Sequence, residues 1–246
     1  GFRAGQQPGV RYPSYEQVLE DLLLLQPHWQ YLRMYDCDPH AEMVLEVIRK
    51  EKLVFKIMLG IYTVAEMNNH ACPWGGGVYT EEQLKLQRIF NDKRIQKAIS
   101  LANQYPQIIC SISAGNETCV DWTANYIPVN RVIEFVERLK EGTKQPVTFC
   151  ENYVPWLNKL KPLGEVVDFI SIHTYPVWEY KNIHEAIHYT KDNYYAVAHT
   201  YPDKPTVITE AGWATNSNGR GIVAENVNED LQKIYYNDLM AWTDQE

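Results

Sequence analysis

Ile108-Ile109-Cys110-Ser111-Ile112-Ser113-Ala114-Gly115-Asn116-Glu117, followed by a helix opened by Pro128 and by Pro146-Val147-Thr148-Phe149-Cys150-Glu151-Asn152, is the stretch that decides the fold. The helix carries Val132, Ile133, Val136 and Leu139 on its apolar face. Two mostly apolar runs joined by an amphipathic helix make a βαβ unit, and unbroken apolar runs suit parallel strands covered on both faces. The alternation continues outward. Tyr31–Tyr35 and Val54–Tyr62 read as strands upstream, and Val167–Pro176 and Pro205–Trp213 downstream. Ser14-Tyr15-Glu16-Gln17 is a capping box that opens a helix running to near Trp29. Thr80-Glu81-Glu82-Gln83 is another, heading a long helix that stops before Pro106. Helices over Asn182–His199 and Ala224–Trp242 complete the set.

No linker or low-complexity tract divides the chain, which predicts one domain over residues 1–246. Alternating strands and helices predict an α/β fold, either a doubly wound sheet or a (β/α)8 barrel. No Gly-rich phosphate loop follows any strand, and polar residues gather at the C-terminal ends of several strands, where barrel enzymes place their chemistry. The expected fold is therefore a TIM barrel. Six strands are found where a barrel has eight. The first strand, the eighth strand and the eighth helix are the missing parts, so the expected barrel is truncated at its seam.

Composition narrows the function. With 23 basic against 31 acidic side chains the net charge is −8, which argues against a nucleic-acid or anionic-membrane surface. The longest leucine run, Leu22–Leu25, falls far short of the roughly 20 residues of a membrane span. Gly1-Phe2-Arg3 lacks a basic leader and an apolar signal core, so no signal peptide is expected in this chain. The five cysteines include no CxxC pair, which argues against a disulfide framework or a zinc ribbon. His184-Glu185-Ala186-Ile187-His188 matches HExxH, but Lys191 and Tyr194 stand where the longer zinc motif needs Gly and His. An ordinary solvated helix face is the expectation there, and no metal or other cofactor is called for.

The chemistry-bearing pattern is a pair of strand-end carboxylates. Asn116-Glu117 ends one strand, and Thr209-Glu210-Ala211-Gly212-Trp213 ends another. In a barrel such ends converge on one cup. Two carboxylates flanking a sugar are the minimal equipment for glycoside hydrolysis, one donating a proton to the leaving oxygen and the other attacking the anomeric carbon. Pyranose faces are apolar, so flat aromatics beside strand ends are candidate sugar platforms. Trp74, Trp122, Trp178 and Trp213 sit in such places, whereas Trp29, Trp156 and Trp242 lie in helix-like contexts and are expected to pack. Glu151 is a third strand-end carboxylate, read as a substrate-binding or electrostatic group, with partnership to a basic side chain as the alternative.

These motifs resemble those of glycoside hydrolase family 17, retaining β-1,3-glucan enzymes on a (β/α)8 barrel. The likeness rests on Ala114-Gly115-Asn116-Glu117 and Thr209–Trp213, and extends to Phe2–Gln6, Trp74-Gly75-Gly76-Gly77 and Asp121-Trp122-Thr123. Gln145–Tyr153, His173-Thr174-Tyr175-Pro176-Val177-Trp178 and Ser217-Asn218-Gly219-Arg220-Gly221 continue it. The longer strings look like the bacterial branch of glucanases and β-1,3-glucanosyltransferases. The resemblance implies Glu117 as general acid/base, Glu210 as nucleophile, Asn116 on the sugar 2-hydroxyl, Tyr175 orienting the nucleophile, and Arg33 and Tyr35 bonding the nucleophile and the sugar. It implies a β-glucan oligosaccharide or polysaccharide as partner and a periplasmic or extracellular location. It also allows fusion to a membrane-bound parent, because some members are parts of larger membrane proteins. Transfer to a sugar acceptor is the favoured outcome, with transfer to water as the alternative and a non-catalytic glucan-binding module as the more remote one.

Overall fold

The computed structural model describes residues 2–217, 219 and 222–243. Gly1, and Asn218, Arg220 and Gly221 of the Ser217–Gly221 string, lie outside the described residues. The fold is α/β, and its contacts gather into two compact units, Gly1–Cys150 with Glu165–Asp168, and Glu151–Gly164 with Phe169–Glu246.

In the first unit α1 (Tyr15–Leu25), β1 (Tyr31–Met34), α2 (Pro39–Glu51), β2 (Lys56–Gly60), α3 (Glu81–Gln104), β3 (Ile109–Asn116), α4 (Val129–Gly142) and β4 (Val147–Asn152) follow one another, the last two residues of β4 counting with the second unit. β1 pairs with β2, β2 with β3 and β3 with β4, all parallel. Helices cross over from each strand to the next, and the central strands are buried as their apolar runs require. Both expected capping boxes form, Ser14 with Gln17 and Thr80 with Gln83. α1 stops at Leu25 rather than near Trp29, because Gln26 takes the last helical hydrogen bond and Pro27 follows. Trp29 is left partly exposed instead of packed.

α2 is absent from the helices read off the sequence. Its signals are Asp38, whose carboxylate caps the Ala41 N–H at 3.0 Å, and Pro39 at the first helical position. Ala41, Val44, Leu45, Val47 and Ile48 form its buried face. Lys52 closes it in the left-handed region.

In the second unit α5 (Tyr153–Leu157), α6 (Lys161–Val166), β5 (Ile170–Thr174), α7 (Ile183–Thr200), β6 (Thr206–Ala211) and α8 (Glu229–Thr243) follow, α6 running on into the first unit's Glu165–Asp168. β5 and β6 pair in parallel. Trp156 is fully buried, donating its indole N–H to the Ser171 carbonyl at 2.9 Å and meeting the Tyr201 ring edge-on. Trp242 packs edge-on against Tyr194 and Tyr195. The expected helix from Ala224 breaks into a short 3-10 turn and α8, because the Asn228 side chain caps the Leu231 N–H at 2.8 Å. In the HExxH stretch, Glu185 is the capping-box partner of Asn182 and both histidines are exposed. All five cysteines are free thiols, and burial pushes that of Cys37 up to about 12. Among the described residues no helix is long and apolar enough to cross a membrane.

Candidate active site

β3 reaches Asn116 and Glu117 through a bulge. Ser113 faces Thr148 and Asn116 faces Cys150, so β3 carries one residue more than β4 over that interval. The Ser113 hydroxyl fills the gap, accepting the Cys150 N–H at 3.2 Å and donating to the Gly115 carbonyl at 2.7 Å. A bulge bends its strand and re-aims the side chains that follow. Gly115 is required there, since a Cβ would lie 2.9 Å from the Phe149 ring. Glu117 then adopts a φ of 50°, with its N–H on the Cys150 carbonyl at 3.0 Å. Among the described residues the other two non-glycine residues with positive φ, Lys52 and Tyr180, cap helical turns, where this conformation is routine. Glu117 directly follows a strand, and strain of about 1–3 kcal/mol at such a position is characteristic of functional sites.

β1 supplies the neighbours. Arg33 donates from Nη2 to the Asn116 Oδ1 at 2.5 Å, and its guanidinium lies 4.4 Å above the Tyr35 ring. Asn116 is thereby oriented from two strands away, across β2. A cavity of about 720 Å³ opens beside Arg33, Tyr35 and Tyr62. Trp74, 58% exposed, and Trp122, 40% exposed, stand in the loops after β2 and β3.

The second unit repeats the device around Glu210. Ile172 faces Ile208 and His173 faces Glu210, so Thr209 is the extra residue of a bulge in β6, its hydroxyl held 3.3 Å from the Ile172 carbonyl. The bulge puts His173 and Glu210 side by side, Nε2 3.4 Å from Oε1, with His173 fully buried. Tyr175 donates its hydroxyl to Glu210 Oε2 at 2.8 Å. Gly212 permits that approach, because a Cβ would lie 3.3 Å from the Tyr175 ring. Trp178 is 44% exposed in the turn after β5. Trp213 and Glu151 are placed differently. Trp213 is 3% exposed, bonds through its indole N–H to the Asn226 carbonyl at 2.9 Å, and packs among Val177, Ile183 and Tyr235. Its ring therefore offers no open face. Glu151 is completely buried and accepts the Asn152 N–H at 2.8 Å.

The structure thus joins Arg33, Tyr35 and Asn116 in one unit, and Tyr175 and Glu210 in the other. It adds His173, Ser113 and Thr209, to which the sequence reading assigned no role. His173 belongs to the family-like stretch His173–Trp178, but nothing in its spacing marks a contact with a residue on another strand.

The family model of the BtgE/BtgC glycoside hydrolase domain matches residues 4–246, across both units. The chain belongs to this family. Among solved structures it is similar to an endo-laminarinase from Formosa Hel1_33_131, with a TM-score of 0.81, 24% identity, and coverage of 100% of this chain and 73% of that one. It is also similar to a Rhizomucor miehei β-1,3-glucanosyltransferase of glycoside hydrolase family 17, with a TM-score of 0.73, 17% identity, and coverage of 100% and 80%. An active-site mutant of that transferase in complex with laminaritriose gives a TM-score of 0.74 at 16% identity, with coverage of 100% and 80%. Among the curated proteins no match is found. These likenesses establish the fold, and the family match makes the chain a glycoside hydrolase domain.

For the glycoside hydrolase domain, Tyr175→Phe tests the contact on Glu210. Losing a hydrogen bond to a charged group is worth roughly 1.5–3 kcal/mol, so kcat/KM is expected to fall about 10- to 100-fold while the melting temperature falls by only several degrees, too little to unfold the domain at assay temperature. An unchanged kcat/KM would remove Tyr175 from the site.

Proposed function

We propose that this domain is a retaining β-1,3-glucan-active enzyme of the family 17 type, its six parallel strands being six of the eight in a (β/α)8 barrel. The Glu210 carboxylate attacks the anomeric carbon while Glu117 protonates the leaving glycosidic oxygen, which leaves a covalent glycosyl-enzyme. Glu117 then takes the proton of an incoming hydroxyl, whose oxygen displaces Glu210 and restores the β configuration. Asn116 engages the sugar 2-hydroxyl, where a hydrogen bond tightens in the transition state. Arg33 orients Asn116, Tyr35 meets the sugar, and Tyr175 with His173 holds the nucleophile. Trp74, Trp122 and Trp178 are the exposed sugar platforms.

The observation that carries this reading is local to each carboxylate: both follow a β-bulge at the C-terminal end of a parallel strand, Glu117 directly after an Asn116 held by Arg33, and Glu210 bonded by Tyr175 beside His173. Barrel enzymes take their catalytic groups from such strand ends. The names of the laminarinase and the glucanosyltransferase support a β-1,3-glucan as substrate.

The incoming hydroxyl is read as that of a sugar acceptor, making the enzyme a glucanosyltransferase. Hydrolysis is the second reading, favoured by the higher identity and TM-score of the endo-laminarinase. Incubation with laminarihexaose separates them: products longer than the hexaose support transfer, and only shorter ones support hydrolysis. Binding without new products would make the domain a glucan-binding module. Proton NMR should show the β configuration at the donor's former anomeric carbon, as a β linkage on transfer or a first-formed β reducing end on hydrolysis, and an α configuration at that carbon would overturn the retaining mechanism.

A further inference from the structure

The loop between β2 and α3, residues 61–80, carries Trp74, and the loop between β3 and α4, residues 117–128, carries Trp122. Asn69 stands at the junction. Its carboxamide donates one hydrogen to the Asp121 carbonyl and the other to the Thr123 carbonyl, each at 2.8 Å, so it grips the backbone on both sides of Trp122. The Cys72 thiol lies 3.2 Å from the carbonyl between them, that of Trp122 itself. Three consecutive carbonyls of one loop are thus held from a four-residue segment of the other. The rest of Asn69 organises its own loop, with Oδ1 accepting the Ala71 N–H at 3.1 Å and its backbone N–H donating to Gly77 at 2.6 Å. The Ala71–Gly77 segment so closed contains Trp74. Further along, Tyr79 donates to the Ala124 carbonyl at 3.1 Å, and the Glu66 N–H to that of Tyr126 at 3.0 Å.

A primary carboxamide has two N–H donors on one planar atom, which is what two neighbouring carbonyls require. Aspartate has the same shape and only acceptors.

We propose that Asn69 is a positioning residue that couples the Trp74 loop to the Trp122 loop, so that the two exposed indoles engage a glucan chain as one platform. The platform part of this inference rests on the function proposed above. The coupling part rests on the hydrogen bonds alone.

Hydrogen exchange on the full chain tests the coupling without any ligand. In Asn69→Asp, amides of residues 61–80 and of residues 117–128 should both exchange faster, by roughly tenfold, the equivalent of a lost hydrogen bond or two, with the strand amides unchanged. Acceleration confined to residues 61–80 would overturn the coupling. Asn69→Ala, which removes the donors without adding a charge, gives the same readout if aspartate costs the fold.

Fluorescence titration with laminarihexaose tests the platform. Trp122→Ala and Asn69→Asp should each weaken binding about tenfold, and the double variant should bind no worse than Trp122→Ala alone. If Trp122→Ala weakens binding and Asn69→Asp does not, the positioning role is wrong. If Trp122→Ala binds like the parent, the glucan reading of these indoles fails whatever the exchange shows.

Discussion

Replacing Glu210 by alanine is expected to lower turnover of laminarihexaose by on the order of 10⁴-fold while leaving its affinity within a few-fold of the parent. The asymmetry follows from what the side chain does in the proposed mechanism. Its carboxylate forms a bond to the anomeric carbon only as the reaction proceeds, whereas the ground-state sugar is held by Asn116, Tyr35 and the exposed indoles. Removing it subtracts transition-state stabilisation and little ground-state binding. The variant leaves His173 and the Tyr175 hydroxyl without the carboxylate they share, so a melting curve belongs beside the kinetics. A small anion such as azide, filling the space left by the carboxylate, should restore part of the turnover and give the product of inverted configuration. Parent-like kcat in Glu210→Ala would refute the nucleophile assignment.

The largest expected effect on stability is at Arg131, which anchors the β2–α3 loop through Glu66. Its guanidinium donates to Glu66 at 2.8 Å, to Asp92 at 2.7 Å and to Glu134 at 2.5 Å, and lies 4.5 Å over the Phe135 ring. Glu66 is 3% exposed, and its other oxygen accepts from Asn91, which is itself fully buried and bonded to both backbone groups of Val64. Without Arg131 the buried Glu66 carboxylate keeps as its cation only the exposed Arg88, whose Nε lies 3.9 Å from Oε2, so the loss approaches the roughly 3–5 kcal/mol of breaking a buried ion pair. Arg131→Ala should therefore lower the melting temperature by roughly 10 °C in a chain of this size. Glu66→Gln, which keeps the shape and removes the charge, should lose less. Equal melting temperatures for parent and Arg131→Ala would show that the network contributes nothing net.

The same network sets a pH dependence. Partial burial pushes the Asp92 carboxyl up, but hydrogen bonds from Arg138 and Arg131 outweigh it and hold the group below the usual carboxylate range. A carboxyl lower in the folded than in the unfolded chain stabilises the fold above the unfolded value, about 3.9, and that contribution is lost as pH falls further. Parent stability should accordingly drop more steeply below about pH 4 than that of Arg131→Ala.

Periodicity and end signals made most of the fold legible. The apolar runs of β3 and β4 cannot be soluble on either face, and the Ser14 and Thr80 boxes satisfy donors that any helix start leaves open. Both effects act over a few residues, which is why the sequence displays them. α2 is marked by Asp38-Pro39 and its buried face, but only four residues, 35–38, separate it from β1, so its apolar pattern runs on from that of the strand. The breaks at Asn228 and Pro27 are equally local, but they are decided by which of two competing hydrogen bonds wins.

The sequence by itself determined the alternation of strands and helices, the strand-end position of Glu117 and Glu210, and the chemistry two such carboxylates can perform. Tertiary structure alone decided that β3 and β6 each carry a bulge before the carboxylate, that His173 lies against Glu210, that Trp213 is core while Trp122 is surface, and that Asn69 ties two loops together. The division has one physical cause. Propensity and capping depend on neighbours along the chain, whereas register, burial and the partner of a polar group depend on residues tens of positions away, which only the folded backbone brings within hydrogen-bonding distance.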